Sequence, residues 1–249
     1  GTTKQTMSTS MPSVRSCCRA SAWLHPFATA AALWLAGVAS VSAAVPVHAD
    51  LQTRSAGSVA VEGHGTLRYT AEAGLLPIHD DPTGRLMASV FFVGYSVPAS
   101  AGAVRPLTFL WNGGPGSNSA QLHMGVGPRR LDTADRLPDW TPAQSERPLV
   151  ENADSWLGAS DLVFVDPLGT GYSRAVEAKD LPTLYTSHGD AETIAEAIRV
   201  YLTRHDAWDR PLYLAGESYG VTRAMLVAAA LQRRGMPVRG VVLVSYNFD

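Results

Sequence analysis

Four short apolar runs punctuate the chain, and each stops at glycine or a polar turn. They are LTFLW at Leu107–Trp111, DLVFVDP at Asp161–Pro167, PLYLAG at Pro211–Gly216 and VVLVS at Val241–Ser245. About five apolar residues in a row, without alternation, mark a strand covered on both faces, as in a parallel sheet. Earlier in the chain, VAVEGHGTLRYTAEAG (Val59–Gly74) and RLMASVFFVGYSV (Arg85–Val97) alternate partially and are rich in β-branched and aromatic residues. With the turn-forming GLLPIHDDPTG between them, they predict an antiparallel hairpin. Helical spacing returns in Ser187–His205, where Ile194, Ile198, Tyr201 and Leu202 share a face. Acids lie early in this segment and Arg204 and His205 late, as the helix dipole favours. A second helix is predicted over Tyr219–Arg234, closed by Gly235 with Pro237 just beyond. Strand and helix alternate without internal repeats, so the chain reads as α/β: a mostly parallel sheet with flanking helices and functional loops at the strand C-terminal ends.

Composition narrows the setting. The 249 residues are 46% hydrophobic and 17% charged, as in a globular protein of one or two domains. A net charge of -2 without a lysine or arginine run gives no sign of nucleic acid as a partner. Residues 1–44 carry Arg15 and Arg19, then the apolar run FATAAALWLAGVASV, then small residues at Ser42–Ala44. That order predicts upstream residues followed by a signal peptide, and so export to the periplasm or outside the cell. The apolar run is short for a span, so no stable membrane anchor is expected. Cleavage removes three of the 20 bases and no acid, leaving 17 against 22 acids, a charge of -5. Cys17 and Cys18 leave with it, so the mature part is expected to have no disulfide and no thiolate metal site. Residues 45–58 are small and polar and read as a flexible leader; residues 59–249 read as the folded part. The sequence is silent on oligomeric state.

The candidate chemistry lies in LYLAGESYG. GESYG fits G-x-S-x-G, with a predicted strand before Ser218 and a predicted helix after it. This context is that of a nucleophile elbow, where glycines let a tight strand-to-helix turn present the serine. The pentapeptide alone would also suit a turn serine that caps a helix. An oxyanion hole requires two backbone donors. Tyr219, following the nucleophile, offers one, and NGGPG after the Leu107–Trp111 strand is placed to offer the other through Gly114. The chemistry calls for no metal or organic cofactor.

Three motifs in this order resemble the serine carboxypeptidases of the α/β-hydrolase fold. WNGGPGSNS at Trp111–Ser119 is similar to the family's W-L-N-G-G-P-G-C-S-S, and GESYG matches its G-E-S-Y-A-G or G-E-S-Y-G. Between them, NADSWLGASDLVFVDPLGTGYS at Asn152–Ser173 resembles its N-x-x-S-W…D-x-P-x-G-x-G-[FY]-S segment. The resemblance implies that Ser218 attacks a peptide carbonyl, forms an acyl-enzyme and releases the C-terminal amino acid of a peptide with a free C-terminus. It implies that Asn112, with the Gly113 backbone, binds the terminal carboxylate, and that Glu217 belongs to the same network. A carboxylate beside a substrate carboxylate repels it unless one is protonated, which favours acidic pH; the residues alone equally allow Glu217 to be an exposed turn residue. An esterase or acyltransferase of the same fold is the alternative reaction, and an inactive binding relative the non-enzyme alternative.

The chain departs from the family's pattern in three places. Trp111 adjoins Asn112 where the family has one residue between them, and Ser117 replaces its cysteine. Where the family has E-L-G-P, this chain has MGVGPRR, without an acid but with Arg129 and Arg130 as possible carboxylate partners or plain loop charges. Asp166 reads as a loop residue of its motif. His123 precedes Ser218, the wrong order for this fold's base. The 31 residues after Ser218 hold one acid, Asp249, and no histidine. The chain therefore reads as the N-terminal part of a longer α/β-hydrolase domain, expected to be inactive by itself.

Overall fold

The computed structural model describes residues 51–99, 102–132 and 149–245. The expected signal segment and Asp249 lie outside the described residues. Among the described residues, ten strands run in chain order: β1 (Gln52–Val61), β2 (Gly65–His79), β3 (Leu86–Ser96), β4 (Leu107–Trp111), β5 (Arg129–Leu131), β6 (Leu149–Glu151), β7 (Asp161–Val165), β8 (Arg174–Ala175), β9 (Leu212–Glu217) and β10 (Val238–Val244). The α-helices are α1 (Ala120–Val126), α2 (Leu181–Leu184), α3 (Ser187–Arg204) and α4 (Tyr219–Arg233). The main sheet has the order β1-β2-β3-β7-β4-β9-β10, with β8 added beside β3, and β5 and β6 pair separately. From β7 to β10 the pairings are parallel, whereas β1, β2, β3 and β7 pair antiparallel. With its flanking helices, this is an α/β-hydrolase fold.

The continuous apolar runs became the sheet's centre. All five residues of β4 and all five of β7 are buried. Side chains alternate between two layers: Phe109, Val163 and Leu214 pack with Ile194, Ile198 and Val227 of α3 and α4. Leu110, Phe164 and Ala215 face the other way, with Leu122 of α1. Thr186 caps α3 by accepting from the Gly189 N–H at 2.9 Å. Gly235, at φ +73°, follows the end of α4 as expected.

The N-terminal edge differs from the sequence reading. Val59–Gly74 is not one strand but a hairpin: β1 and β2 meet across residues 62–64, in register from Gln52↔Gly74 to Val61↔Gly65. Residues 52–58, expected to be a flexible leader, are therefore ordered strand. Main-chain pairing fixes them although their side chains are small, polar and largely exposed. GLLPIH likewise continues β2, and the turn to β3 falls later, at 80–85. Pro77 is tolerated because β1 has ended by Gly74, so that side of β2 needs no N–H there.

Candidate functional site

From β4 the chain goes first to β7 on one side, then returns to β9 on the other. Such a reversal of strand order opens a crevice at the strand C-terminal ends, where α/β folds bind ligands. Two loops occupy it: the glycine loop after β4 and the serine turn after β9.

Ser218 stands between β9 and α4 with φ +55° and ψ -125°, a backbone conformation costing a non-glycine residue about 1–3 kcal/mol. Its N–H donates to the Val244 carbonyl at 2.9 Å, so β10 anchors the turn from below. Gly216 has to be glycine, since a Cβ there would lie 2.0 Å from the Gly220 carbonyl oxygen. Tyr219 opens α4, and its N–H, in the first turn, has no acceptor within the helix. A Cβ on Gly113 would sit 2.5 Å from that Tyr219 nitrogen. The glycine loop thus lies directly over the elbow, with no side chain on Gly113 to meet the Tyr219 nitrogen. Gly114 and Gly116 continue the loop at φ +106° and +108°.

Asn112 is buried and its amide is fully oriented. Its Oδ1 accepts from the Leu122 N–H of α1 at 3.0 Å, and its Nδ2 donates to Glu217 Oε2 at 3.1 Å. Glu217 is half-buried rather than an exposed turn residue. Asn112, Gly113, Glu217, Ser218 and Tyr219 are thus gathered into one cluster, with Gly114 next along the same loop. Trp111, whose shifted position left its direction open, is fully buried and donates from Nε1 to the Gly220 carbonyl at 2.9 Å.

The intervening motif is the scaffold of this cluster. Asp166 accepts from the Ser119 N–H at 2.9 Å, tying the end of β7 to the glycine loop. Burial pushes its carboxyl up, against the backbone donors Ser119 and Tyr172. A Cβ on Gly171 would fall 1.7 Å from Asp166 Oδ2, so DPLGTG folds back onto its own aspartate. Asn152 donates to the carbonyls of Gly125 and Gly127, at 3.0 and 2.9 Å, and Ser155 to that of Val126 at 3.1 Å, closing the C-terminal end of α1.

Two charged residues at the site escaped the sequence reading. Arg223, on α4, is only 3% exposed. Its Nε donates to Asp190 Oδ2 at 2.7 Å and its Nη1 to the Asn112 carbonyl at 2.8 Å, while its guanidinium lies 5.3 Å from the Tyr219 ring centre. The sequence signal was an arginine one turn into a helix whose neighbours at that height, Thr222 apart, are apolar. Beside them opens a cleft of about 500 Å³, walled by Pro115, Leu168, Leu184, Tyr185 and Tyr219.

Other candidates lie elsewhere. His123 is on α1, stacked on Phe164 at 4.4 Å, with its Nε2 2.6 Å from the Tyr95 hydroxyl. Burial lowers its pKa to about 4 and raises that of Tyr95 to about 12. Arg129 pairs loosely with Glu151 at 3.9 Å, and Arg130 borders a separate cleft with Gln121, Met124 and Gly125. Among the described residues no group of three or more His, Cys, Asp and Glu is arranged to hold a metal ion, and no helix is long and apolar enough to cross a membrane.

Comparison with known proteins points one way. The family model described as serine carboxypeptidase matches residues 64–234. The pheromone-processing carboxypeptidase kex1 of Aspergillus niger is 32% identical over 148 residues, 58% of this chain and 22% of that protein. Serine carboxypeptidase-like 44 of Arabidopsis thaliana is 33% identical over 166 residues, 63% of this chain and 30% of that protein. The matched stretch thus spans under a third of either relative. The crystal structure of a prohormone-processing carboxypeptidase from Saccharomyces cerevisiae superposes with a TM-score of 0.52 at 22% identity, covering 70% of this chain and 38% of that one.

Proposed function

The chain belongs to the serine carboxypeptidase family, and we propose that the whole protein is an exported hydrolase that removes C-terminal amino acids from peptides. Ser218 is the nucleophile, and the N–H groups of Gly114 and Tyr219 hold the oxyanion that forms on the attacked carbonyl. Ser218 Oγ bonds to the carbonyl carbon as its proton passes to the departing nitrogen, the C–N bond breaks and the terminal amino acid leaves with a free amine; water then hydrolyses the ester, releasing the acyl carboxylic acid and restoring the Ser218 hydroxyl. Asn112, the Gly113 N–H and Glu217 receive the free carboxylate of the departing residue. The cleft beside Tyr219 gives room for the acyl side of the peptide.

The observation that carries this reading is the 3.1 Å hydrogen bond from Asn112 Nδ2 to Glu217 Oε2. It places a buried amide and a carboxyl one residue from the nucleophile, where acyl-group chemistry alone requires neither.

The test is hydrolysis of N-blocked dipeptides by the full-length protein, comparing free with amidated C-termini and with simple esters. A preference for the free acid is expected, with hydrolysis falling at least about 10³-fold in Ser218→Ala. Cleavage of esters without any cleavage of free-acid dipeptides would replace this reading with an esterase.

A further inference from the structure

We propose that Arg223 is a positioning residue for carboxylate recognition, acting through the peptide bond between Asn112 and Gly113. The inference rests on the carboxypeptidase reading above and extends it to a residue outside the motifs.

The geometry starts from one planar group. The Asn112 C=O and the Gly113 N–H belong to the same peptide unit, and in a trans peptide they point in opposite directions. Arg223 Nη1 donates to that carbonyl at 2.8 Å. Fixing the carbonyl toward Arg223 therefore fixes the Gly113 N–H away from it. Gly113 cannot be held by its own side chain, and a glycine loop left to itself would sample several orientations of this peptide. A buried cation on the carbonyl also polarises the unit, making its N–H a stronger donor to an anion.

Arg223 is itself held firmly. Asp190 accepts from Nε at 2.7 Å, the guanidinium is 3% exposed, and the Tyr219 ring lies alongside at 5.3 Å. A planar fork can serve Asp190 and the Asn112 carbonyl from two different nitrogens at once, which a lysine ammonium at the same place would do with less geometric control. Asp190 stands in the first turn of α3, so the pair joins α3, α4 and the glycine loop at one point. An ion pair serving only to bind the two helices would not need the third partner. Helix joining is already provided nearer the surface, where Arg233 and Arg234 of α4 and its C-cap meet Glu192 and Glu196 of α3.

The experiment measures kcat and KM of the full-length protein and of Arg223→Gln on one N-blocked dipeptide, as free acid and as amide. The readout is the ratio of kcat/KM for the acid to that for the amide. This ratio is expected to fall about tenfold, mainly through KM of the acid, because one charge-assisted contact to the carboxylate is misaligned. Asp190→Asn, which loosens the guanidinium, is expected to shift the ratio the same way by less. If Arg223→Gln does not fold, Asp190→Leu/Arg223→Met removes both charges together, a change buried pairs often tolerate, and the same ratio is read. A variant that loses activity equally on acid and amide, or keeps the parental ratio, would overturn the inference. An unsubstituted protein without preference for the free acid would overturn the carboxypeptidase reading itself, a result visible before any variant is made.

Discussion

The centre of the sheet and its β1 edge are held together in opposite ways. Around β4 and β9, backbone lies against backbone: Gly216 against Gly220, Gly113 against Tyr219 and Glu217, with the Trp111 indole closing on the Gly220 carbonyl. At the β1 edge no backbone approaches so closely, and a Cβ on Gly57 would instead meet a side chain, the Tyr69 ring at 2.5 Å. A ten-residue ladder to β2 does the work, supplemented by side chains converging on Glu72: Gln52, Arg54 at 2.9 Å and His205 at 3.0 Å. Close backbone contact restricts the residue type at each position, whereas a ladder accepts almost any residue with an N–H. The first region should therefore fail at single atoms, and the second should yield gradually.

The largest effect expected from this contrast is at Gly216. In Gly216→Ala the new methyl meets backbone atoms of Gly220 at 2.0 and 2.3 Å, with no flexible side chain to give way. A loss of about 4 kcal/mol or more is expected in urea unfolding of the full-length protein, together with loss of hydrolysis. Gly235→Ala is the control, at φ +73° with no atom within 4 Å of the new carbon, and should cost about 1 kcal/mol. Equal losses at the two glycines would erase the distinction between close approach and simple turn strain.

His123 tests a side-chain contact close to the glycine loop. The Tyr95 hydroxyl lies 2.6 Å from Nε2, and burial puts the pKa of the ring at about 4 rather than 6.5. Above pH 6.5 neither folded nor unfolded chain protonates it. As the pH falls from 6.5 to about 4 the unfolded chain gains a proton that the folded one refuses, so stability declines through that window and levels off below it. The shift corresponds to about 3 kcal/mol. His123→Gln should flatten this part of the stability–pH curve, measured by urea unfolding from pH 4 to 7. A curve as steep as the parent's would assign the decline to other groups.

The same contrast explains what the sequence made legible. The elbow and glycine loop were readable because close approach writes glycine into the chain at Gly113, Gly216 and Gly220, and doubly covered strands write apolar runs at β4, β7 and β9. β10 was placed three residues short because Arg239 and Gly240 interrupt its apolar pattern, although its pairing with β9 begins at Val238. α1 leaves no periodicity to read: it has seven residues with one buried side chain, Leu122, and its ends are closed from a distance by Asn112 and Asn152. Residues 52–58 looked like leader because their order comes from a partner strand, which leaves no mark on side-chain pattern. Arg223 was invisible for a related reason, since its main target is a carbonyl and carbonyls have no identity in a sequence.

Glu72 gives the smallest effect and the sharpest test of how separate the two regions are. It is 8% exposed and accepts from residues of β1 and from His205 just beyond α3, so it links the edge hairpin to the helix layer. Arg54 has a side chain 60% exposed, so its pair contributes well under 1 kcal/mol, and most of Glu72's value lies in satisfying the buried side of the cluster. Glu72→Gln keeps the size and one acceptor, and should cost about 1 kcal/mol. The loss should be local. In hydrogen exchange, amides of β1 between Thr53 and Ser58 should lose protection while those of β4 and β9 keep theirs, because the ladder can open from its free edge without disturbing the glycine contacts. Loss of protection spreading evenly to Leu107–Trp111 would mean that edge and centre open as one cooperative unit, and that the ladder is as indispensable to the site as the glycines above it.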